Sequence, residues 1–516
     1  MMSKKFYITT PIYYVNDKPH IGHAYTTLAC DVMARFKRLD GFEVKFLTGT
    51  DEHGQKVEKA AQVAGTSPQE FTNAVSQNFR DLTTQLNFSN DDFIRTTEER
   101  HKLACQQLWR ILLDKGYIRL DTYAGWYAVR DEAFYTKDEI VDGKAPSGAP
   151  VEWVEEPSYF FDLSKFQDKL LAFYEANPDF VAPASRFNEV KSFVKGGLRD
   201  LSVSRASFKW GVPVPDDDAH VMYVWLDALT NYITATGWPV DGAFGNAETY
   251  EKLWPADLHM VGKDILRFHA VYWPAFLMAA DLPLPKRVFA HGWWTNEGQK
   301  ISKSLGNVID PVALSEIYGL DQTRYFLMRE VPFGKDGDFS VQAMIQRMNS
   351  DLANDLGNLS QRVISMIFKN CEGVMPALPV SPSPEDNAIL TACDALLDQV
   401  RIHIDQQSFH EALRSIWDVI AAANRYVDSQ APWGLKKTDP ARMQEVLAVL
   451  AEIIRQFAIL TQPFMPQSTA KILDQLGVDE KARGFDTLAG QVRLATGHVI
   501  GKPEPVFPRF VEEEPA

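Results

Sequence analysis

Two short stretches hold the residues best equipped for chemistry. In "YYVNDKPHIGHAYTT", His20 and His23 stand three apart, with Pro19 before them and Gly22 between. By itself an H-x-x-H pair is either half of a metal site or two exposed turn residues. In "EGQKISKSLGN", Lys300 and Lys303 alternate with Ser302 and Ser304 between Gly298 and Gly306. By itself that is a charged surface loop. Two lysines on a glycine-flanked loop are also equipped to close over a polyphosphate and neutralise charge as it develops. It is not a Walker loop, because G-x-x-x-x-G-K-[ST] is absent.

The elements around the histidines narrow the choice. "KKFYITT" reads as a strand, "GHAYTTLACDVMARFKRLDG" as an amphipathic helix ending at Gly41, and "EVKFLTGTDEHG" as a second strand with its exit loop. Strand, helix and strand of these lengths make a βαβ unit, and hence a parallel sheet. Such sheets bind ligands beyond the carboxyl ends of their strands. His20, His23 and Asp51 fall at that rim, and the helix N-terminus there favours anions. The expectation is an α/β fold with a doubly wound parallel sheet that binds a nucleotide.

At 516 residues the chain is too long for one compact core. A net charge of −15 argues against general coating of nucleic acid, because phosphate binding rests on lysine and arginine; a local basic track remains open. No apolar run approaches the roughly 20 residues of a membrane span. "MMSKKFYITT" turns polar too quickly for a signal peptide, so a cytoplasmic protein is expected. Cys30, Cys105, Cys371 and Cys393 lie far apart without C-x-x-C spacing, against a disulfide framework and against a thiolate zinc site.

Residues 1–116 read as the first half of the sheet domain. Residues 117–200, rich in aromatics, turns and charge, read as an insertion, and 201–290 as the second half. Residues 291–340 carry the lysine loop; 341–516 are helical with a C-terminal tail. Leu352, Leu356, Leu359, Val363 and Met366 form an apolar seam on one helix, and Phe409, Leu413, Ile416, Trp417 and Ile420 on another. "VMPALPVSPSPEDN" (374–387) reads as a proline-rich connection between helices.

"HIGH" at 20–23 together with "KISKS" at 300–304 resembles the paired signatures of class I aminoacyl-tRNA synthetases. The second departs from KMSKS at Ile301, an apolar exchange that leaves the lysines in place. "TTPIYYVNDKPHIGHAYTT", "TGTDEHGQKVEKAA", "YVWLDALTNYI" and "VGKDILRFHAVYWPA" resemble methionyl-tRNA synthetases in particular, and the likeness runs from residue 5 into the helical region near 465. The resemblance implies a Rossmann-like catalytic domain with a connective insertion. Residues 291–340 become a KMSKS-type loop and stem-contact region, and 341–516 a helical-bundle anticodon-binding domain with its tail. It implies activation of L-methionine by ATP, with Mg²⁺, to methionyl-adenylate and pyrophosphate, then transfer to the terminal ribose of tRNA(Met), initiator and elongator.

Residue roles follow from the resemblance. His20 and His23 would donate to the phosphates, with Thr9 beside them and Gly22 leaving room for adenine. Lys300, Ser302 and Lys303 would hold ATP and the leaving pyrophosphate, and Gly262 and Asp264 the ribose. Asp51 would take the methionine ammonium; Ile12, Tyr14, Trp225, Ala228, Tyr232, Ile265 and His269 would line the side-chain slot. Asn358 and Arg362, one helical turn apart, and Trp433 would read the anticodon, although on residues alone Trp433 reads as core.

The resemblance also implies absences. The insertion is too short for the hydrolytic editing domain of the leucine, isoleucine and valine enzymes. The family's zinc knuckle would need paired cysteines where Ala128 and Asp131 stand, and "KAPSGAPVEW" lacks a second pair. No structural zinc is expected, and a monomer is. Two other classes remain open: a small nucleotidyltransferase with a similar site, which would not need some 170 residues of helical domain, and a catalytically dead RNA-binding paralogue, against which His20, His23, Lys303 and Asp51 weigh.

Overall fold

The computed structural model describes residues 4–15, 18–130, 133–135, 137–301 and 306–511. Ser302, Lys303 and Asp131 therefore lie outside the described residues. The chain divides into two compact units: Lys5–Pro19 with Val44–His291, and Met1–Lys4 with His20–Glu43 and Gly292–Ala516.

The first unit is built on a seven-stranded sheet. Its order is Tyr13–Tyr14, Glu43–Asp51, Lys5–Thr9, Leu258–Gly262, Val288–His291 and Val181–Ala182, with Asp92–Arg95 also paired to Glu43–Asp51. The registered pairs run parallel, for example Ile8 with Leu258 and Met260 with Phe289. Tyr7, Ile8 and Thr9 are all fully buried, as expected where both faces of a parallel strand are covered. Lys5–Thr9 has an early strand on one side and a late one on the other. In doubly wound sheets ligands are taken beyond the carboxyl ends of the strands, where the strand order switches. Asp51 and Gly262 are the last residues of two of these strands, and Ile12 and Asp264 follow carboxyl ends.

Strands Ile118–Ala128 and Glu152–Phe161 form a long antiparallel ladder, flanked by Ala133–Tyr135 and Leu201–Ser202. This sheet is the insertion, but it accounts for less of the chain than expected. Residues 163–195 rejoin the parallel-sheet core: Phe166, Tyr174, Phe180 and Phe187 pack into it, and Val181–Ala182 pairs with Val288–Phe289. Over 163–187 the aromatic richness read as insertion is core packing.

In the second unit, helix Pro440–Thr461 is buried on almost every side, as the centre of a bundle must be. Helix Phe409–Gln430 buries Phe409, Leu413, Ile416, Trp417 and Ile420 as the spacing predicts. The other seam is corrected at its end, where Ile367 is buried and Met366 only partly so. The cause lies upstream. Met348–Gly357 is a π-helix, and its wider turn shifts the face that the following helix Asn358–Asn370 buries. The proline-rich connection ends at Ser383, which caps helix Pro384–Asp394 by accepting from the Asp386 N–H; Pro384 opens the helix rather than extending the loop. The C-terminal segment docks on this unit: Phe510 N–H donates to Asn349 Oδ1 at 2.8 Å, and Gln475 Nε2 to the Glu504 carbonyl at 3.0 Å.

Helix Ile21–Leu39, which begins with the first histidine motif, is fastened along its length within this same unit. Arg324 donates to buried Asp31 at 2.6 Å, Lys37 meets Asp405 at 2.6 Å and Arg401 meets Asp40 at 2.6 Å.

Candidate active site

His20 is the N-cap of helix Ile21–Leu39, an unusual residue for that position. Its Nδ1 accepts from Gly22 N–H at 3.1 Å, while His23 Nδ1 accepts from His20 N–H at 3.1 Å. The two histidines thus form a reciprocal capping box, with ring centroids 3.9 Å apart. Because both Nδ1 atoms accept, the neutral tautomer of each ring carries its proton on Nε2. Two N–H donors stand at a helix N-terminus, a combination suited to a phosphate. Gly22 has a reason the sequence did not supply: a Cβ there would sit 2.9 Å from His20 Cε1.

The lysine loop belongs to the same unit. Gly298 is not a loop flank, as expected, but part of a two-residue hairpin turn. Glu297 and Gly298 both have positive φ, 48° and 77°, and join Trp294–Asn296 to Gln299–Lys300. The Lys300 backbone pairs with Thr295. Asn296 Nδ2 donates to the Asn307 carbonyl at 3.0 Å, which fastens the loop at its base. Two residues on, the Ile309 carbonyl accepts from Ile21 N–H at 3.1 Å. The exit of the lysine loop is thereby bonded to the first residue of the histidine-capped helix.

In the first unit Trp225, Ala228 and Tyr232 lie at i, i+3 and i+7 on helix Val224–Thr234, one face of it. Ile265 and His269 follow strand Leu258–Gly262. Tyr232 Oη lies 2.6 Å from His269 Nε2, and His269 Nδ1 lies 2.9 Å from the Ile265 carbonyl. Nδ1 must donate to that carbonyl, so Nε2 accepts from the tyrosine. Burial pushes the His269 pKa down to about 4, against the Ile265 hydrogen bond, so the ring is neutral at ordinary pH. Thr9 is buried with its hydroxyl 2.8 Å from His259 Nδ1, whose ring burial also keeps neutral. Ile12, Trp225 and Ile265 pack, half-buried, on the main core. Gly262 repeats the economy of Gly22, since a Cβ would lie 2.5 Å from Asp264 Oδ1.

Sequence reasoning missed several residues here. Phe268 stacks on Trp225 with ring centroids 3.3 Å apart and planes 8° from parallel; its place next to His269 was the available signal. Asp51, almost buried, ends strand Glu43–Asp51 opposite Tyr14. The next residue, Glu52, is gripped by Arg95 through both oxygens at 2.7 and 2.9 Å and by Thr97 at 2.6 Å. His53 Nδ1 lies 2.6 Å from Asp227 Oδ2, and His101 Nε2 2.8 Å from Asp227 Oδ1.

His101, Cys105 and Asp227 bring ligand atoms within 4.8 Å of one another. The group is better described as a closed hydrogen-bond cluster. His101 Nε2 engages Asp227 Oδ1 at 2.8 Å and lies 3.2 Å from Cys105 Sγ, and burial pushes the Cys105 thiol well up. In the segment where the family's zinc knuckle would fall, Ala128 forms a small apolar cluster with Ala145 and Ala149, while Asp131 lies outside the described residues.

On the helical side, the reading of Trp433 as core is corrected. The indole is 49% exposed, with the Arg362 guanidinium carbon 5.2 Å from its ring centroid. Arg362 Nη2 also meets Asp428 Oδ1 at 3.3 Å, and Asn358 is exposed one turn before.

The family profile described as "tRNA synthetases class I (M)" matches residues 6–150 and 145–364, and that of the "Anticodon binding domain of methionyl tRNA ligase" matches residues 378–516. Methionine–tRNA ligase of Rickettsia felis is 57% identical over 512 residues, 99% of each chain. The chain belongs to the methionine–tRNA ligase family. The enzyme of that name from Brucella suis is 57% identical over 520 residues, covering 100% of this chain and 99% of its own. Methionyl-tRNA synthetase of Mycobacterium tuberculosis, solved in complex with methionyl-adenylate, superposes with a TM-score of 0.94 at 52% identity, over 98% of this chain and 100% of that one. This family membership gives the chain its enzyme class: a class I aminoacyl-tRNA synthetase built as a parallel sheet domain followed by a helical domain.

Proposed function

We infer that this chain runs the methionine–tRNA ligase reaction through a division of labour between small-molecule and RNA sites. In the first step a methionine carboxylate oxygen attacks the α-phosphorus of ATP, and the bond to pyrophosphate breaks. No protein nucleophile is needed; the demand is for orientation and for charge stabilisation. His20 and His23 donate Nε2–H to the phosphates, and Thr9 is assigned to the same step. Lys300, Ser302 and Lys303 take the leaving pyrophosphate, and Mg²⁺ accompanies ATP as its phosphate-bound counter-ion. Asp264, with Gly262 clearing its path, accepts from the ribose, and adenine packs on Gly22.

Asp51 accepts from the methionine ammonium. The thioether enters the slot of Ile12, Tyr14, Trp225, Ala228, Tyr232, Ile265 and His269, where sulfur against aromatic rings contributes about 0.3–1.5 kcal/mol. In the second step a terminal ribose hydroxyl of tRNA(Met), initiator or elongator, attacks the carbonyl carbon and AMP leaves. Asn358, Arg362 and Trp433 read the anticodon, the exposed indole stacking an unpaired base. The apolar Ala128 cluster supports a zinc-free insertion. The proposal extends to a monomer acting in the cytoplasm.

The observation that carries this reading is the paired-histidine cap, which aims two Nε2–H donors from a helix N-terminus. Amino-acid-dependent pyrophosphate exchange, run with each of the twenty amino acids and followed by charging of tRNA, tests it. Exchange with methionine and charging of tRNA(Met) are expected; exchange with another amino acid in preference, or none at all, contradicts it.

A further inference from the structure

The cluster formed by Asp227, His53 and His101 lies outside the roles assigned above. All three side chains are almost completely buried in the first unit. Taking a carboxylate out of water is costly, and apolar residues of equal volume commonly serve a core at least as well. What distinguishes the cluster is where its members are attached. Asp227 sits in the first turn of helix Val224–Thr234, between Trp225 and Ala228. His53 comes two residues after Asp51.

Each carboxylate oxygen of Asp227 has its own donor. Oδ2 takes His53 at 2.6 Å, and Oδ1 takes His101 at 2.8 Å. Burial alone would push the Asp227 pKa up, but the attraction and hydrogen bonds of the two histidines outweigh it and hold the carboxyl well below the usual range. The loop around Asp51 is tied down from other sides too. Glu52 N–H donates to Thr96 Oγ1 at 2.9 Å, Trp210 Nε1 donates to the Glu52 carbonyl at 2.6 Å, and Gly54 N–H to the Trp210 carbonyl at 3.0 Å. Asp227–His53 joins this loop directly to the helix carrying the apolar slot.

We propose that Asp227, with His53 and His101, is a positioning element of the methionine site, fixing the separation between the ammonium-binding carboxylate and the apolar slot. This rests on the reading of Asp51 and Trp225 given above. A substrate with one charged and one apolar end is selected by that separation, and a small misplacement costs about 10- to 100-fold.

The test uses the full-length enzyme and four variants: Asp51→Asn, Asp227→Asn, His53→Ala and His53→Asn. Michaelis constants for methionine and ATP are measured by pyrophosphate exchange. The ratio of inhibition constants is measured for methioninol and for the same thioether alcohol lacking its amino group. Asp227→Asn and His53→Ala are expected to raise the methionine constant about tenfold or more, to leave that of ATP within about twofold, and to shrink the inhibitor ratio. His53→Asn, whose amide N–H can replace Nδ1–H, is expected to recover much of the loss. If Asp51→Asn leaves the inhibitor ratio unchanged, the underlying assignment of Asp51 fails. If Asp51→Asn collapses the ratio but Asp227→Asn and His53→Ala do not, the positioning role fails. Should Asp227→Asn not fold, the two His53 variants decide alone. Equal damage to methionine and ATP constants, without recovery in His53→Asn, means a structural cluster and overturns the proposal.

Discussion

Tyr232 and Trp433 are both large aromatic residues on helices, yet Tyr232 is 1% exposed and bonded to His269, while Trp433 is 49% exposed beside the Arg362 guanidinium. The difference fits what we propose each region recognises. A free amino acid is small enough to be enclosed, so selectivity comes from a slot whose walls are fixed before it arrives. Around Tyr232 the polar atoms are held by partners: its hydroxyl by His269, its carbonyl by Tyr7, and the His269 ring by the Ile265 carbonyl. An RNA base reaches the protein from solvent on a large molecule. It needs an accessible indole, and Trp433 is 49% exposed, with Arg362 over its ring and paired to Asp428. Burial serves the first task and would defeat the second.

The largest expected effect bears on both halves of the reaction. If Lys303 stabilises charge that develops on the leaving pyrophosphate, Lys303→Ala lowers the adenylation rate about 100- to 1000-fold and weakens ATP binding far less. Exchange and charging fall together. Unchanged turnover with a higher ATP Michaelis constant would remove Lys303 from the chemistry.

Acid separates the regions differently. His269, with a folded pKa near 4 against 6.5 in the unfolded chain, takes its proton first when unfolded. Stability is therefore lost as pH falls from 6.5 towards 4, by roughly 3 kcal/mol from this group if its shift is fully expressed. His259, also depressed by burial, acts in the same direction. The Arg362–Trp433 pair contains no histidine. Urea unfolding at pH 7, 5.5 and 4.5 is expected to show this loss, and His269→Gln to reduce it. A wild-type loss no larger than that of His269→Gln would mean His269 is not the source.

Much of this was legible in the sequence because it is local. The βαβ opening, the seam from Phe409 to Ile420 and the two signature motifs depend on spacings of a few residues. What escaped depends on contacts between distant positions or on backbone irregularity. His53 and Asp227 are 174 residues apart, and no local pattern joins them. Met366 was read in place of Ile367 because a π-helical segment is invisible to a 3.6-residue count. Trp433 was read as core as a large aromatic following Pro432 at the end of a helix. That helix stops at Ala431, in the left-handed region at φ 41°, and Pro432 starts another, so the earlier periodicity does not set the tryptophan's face. The capping role of His20 and His23 was missed because histidine is a poor predictor of caps.

The central claim is that small-molecule and RNA recognition are carried by different residues in different environments. Trp433→Ala tests it most directly, with pyrophosphate exchange, tRNA charging and thermal stability measured on one preparation. Loss of a stacked base costs about 1–3 kcal/mol, so charging efficiency should fall about 10- to 100-fold. Exchange and melting temperature should stay within error, because a half-exposed indole is not part of the core. A parallel fall in exchange, charging and melting temperature would contradict the account and make Trp433 a structural residue.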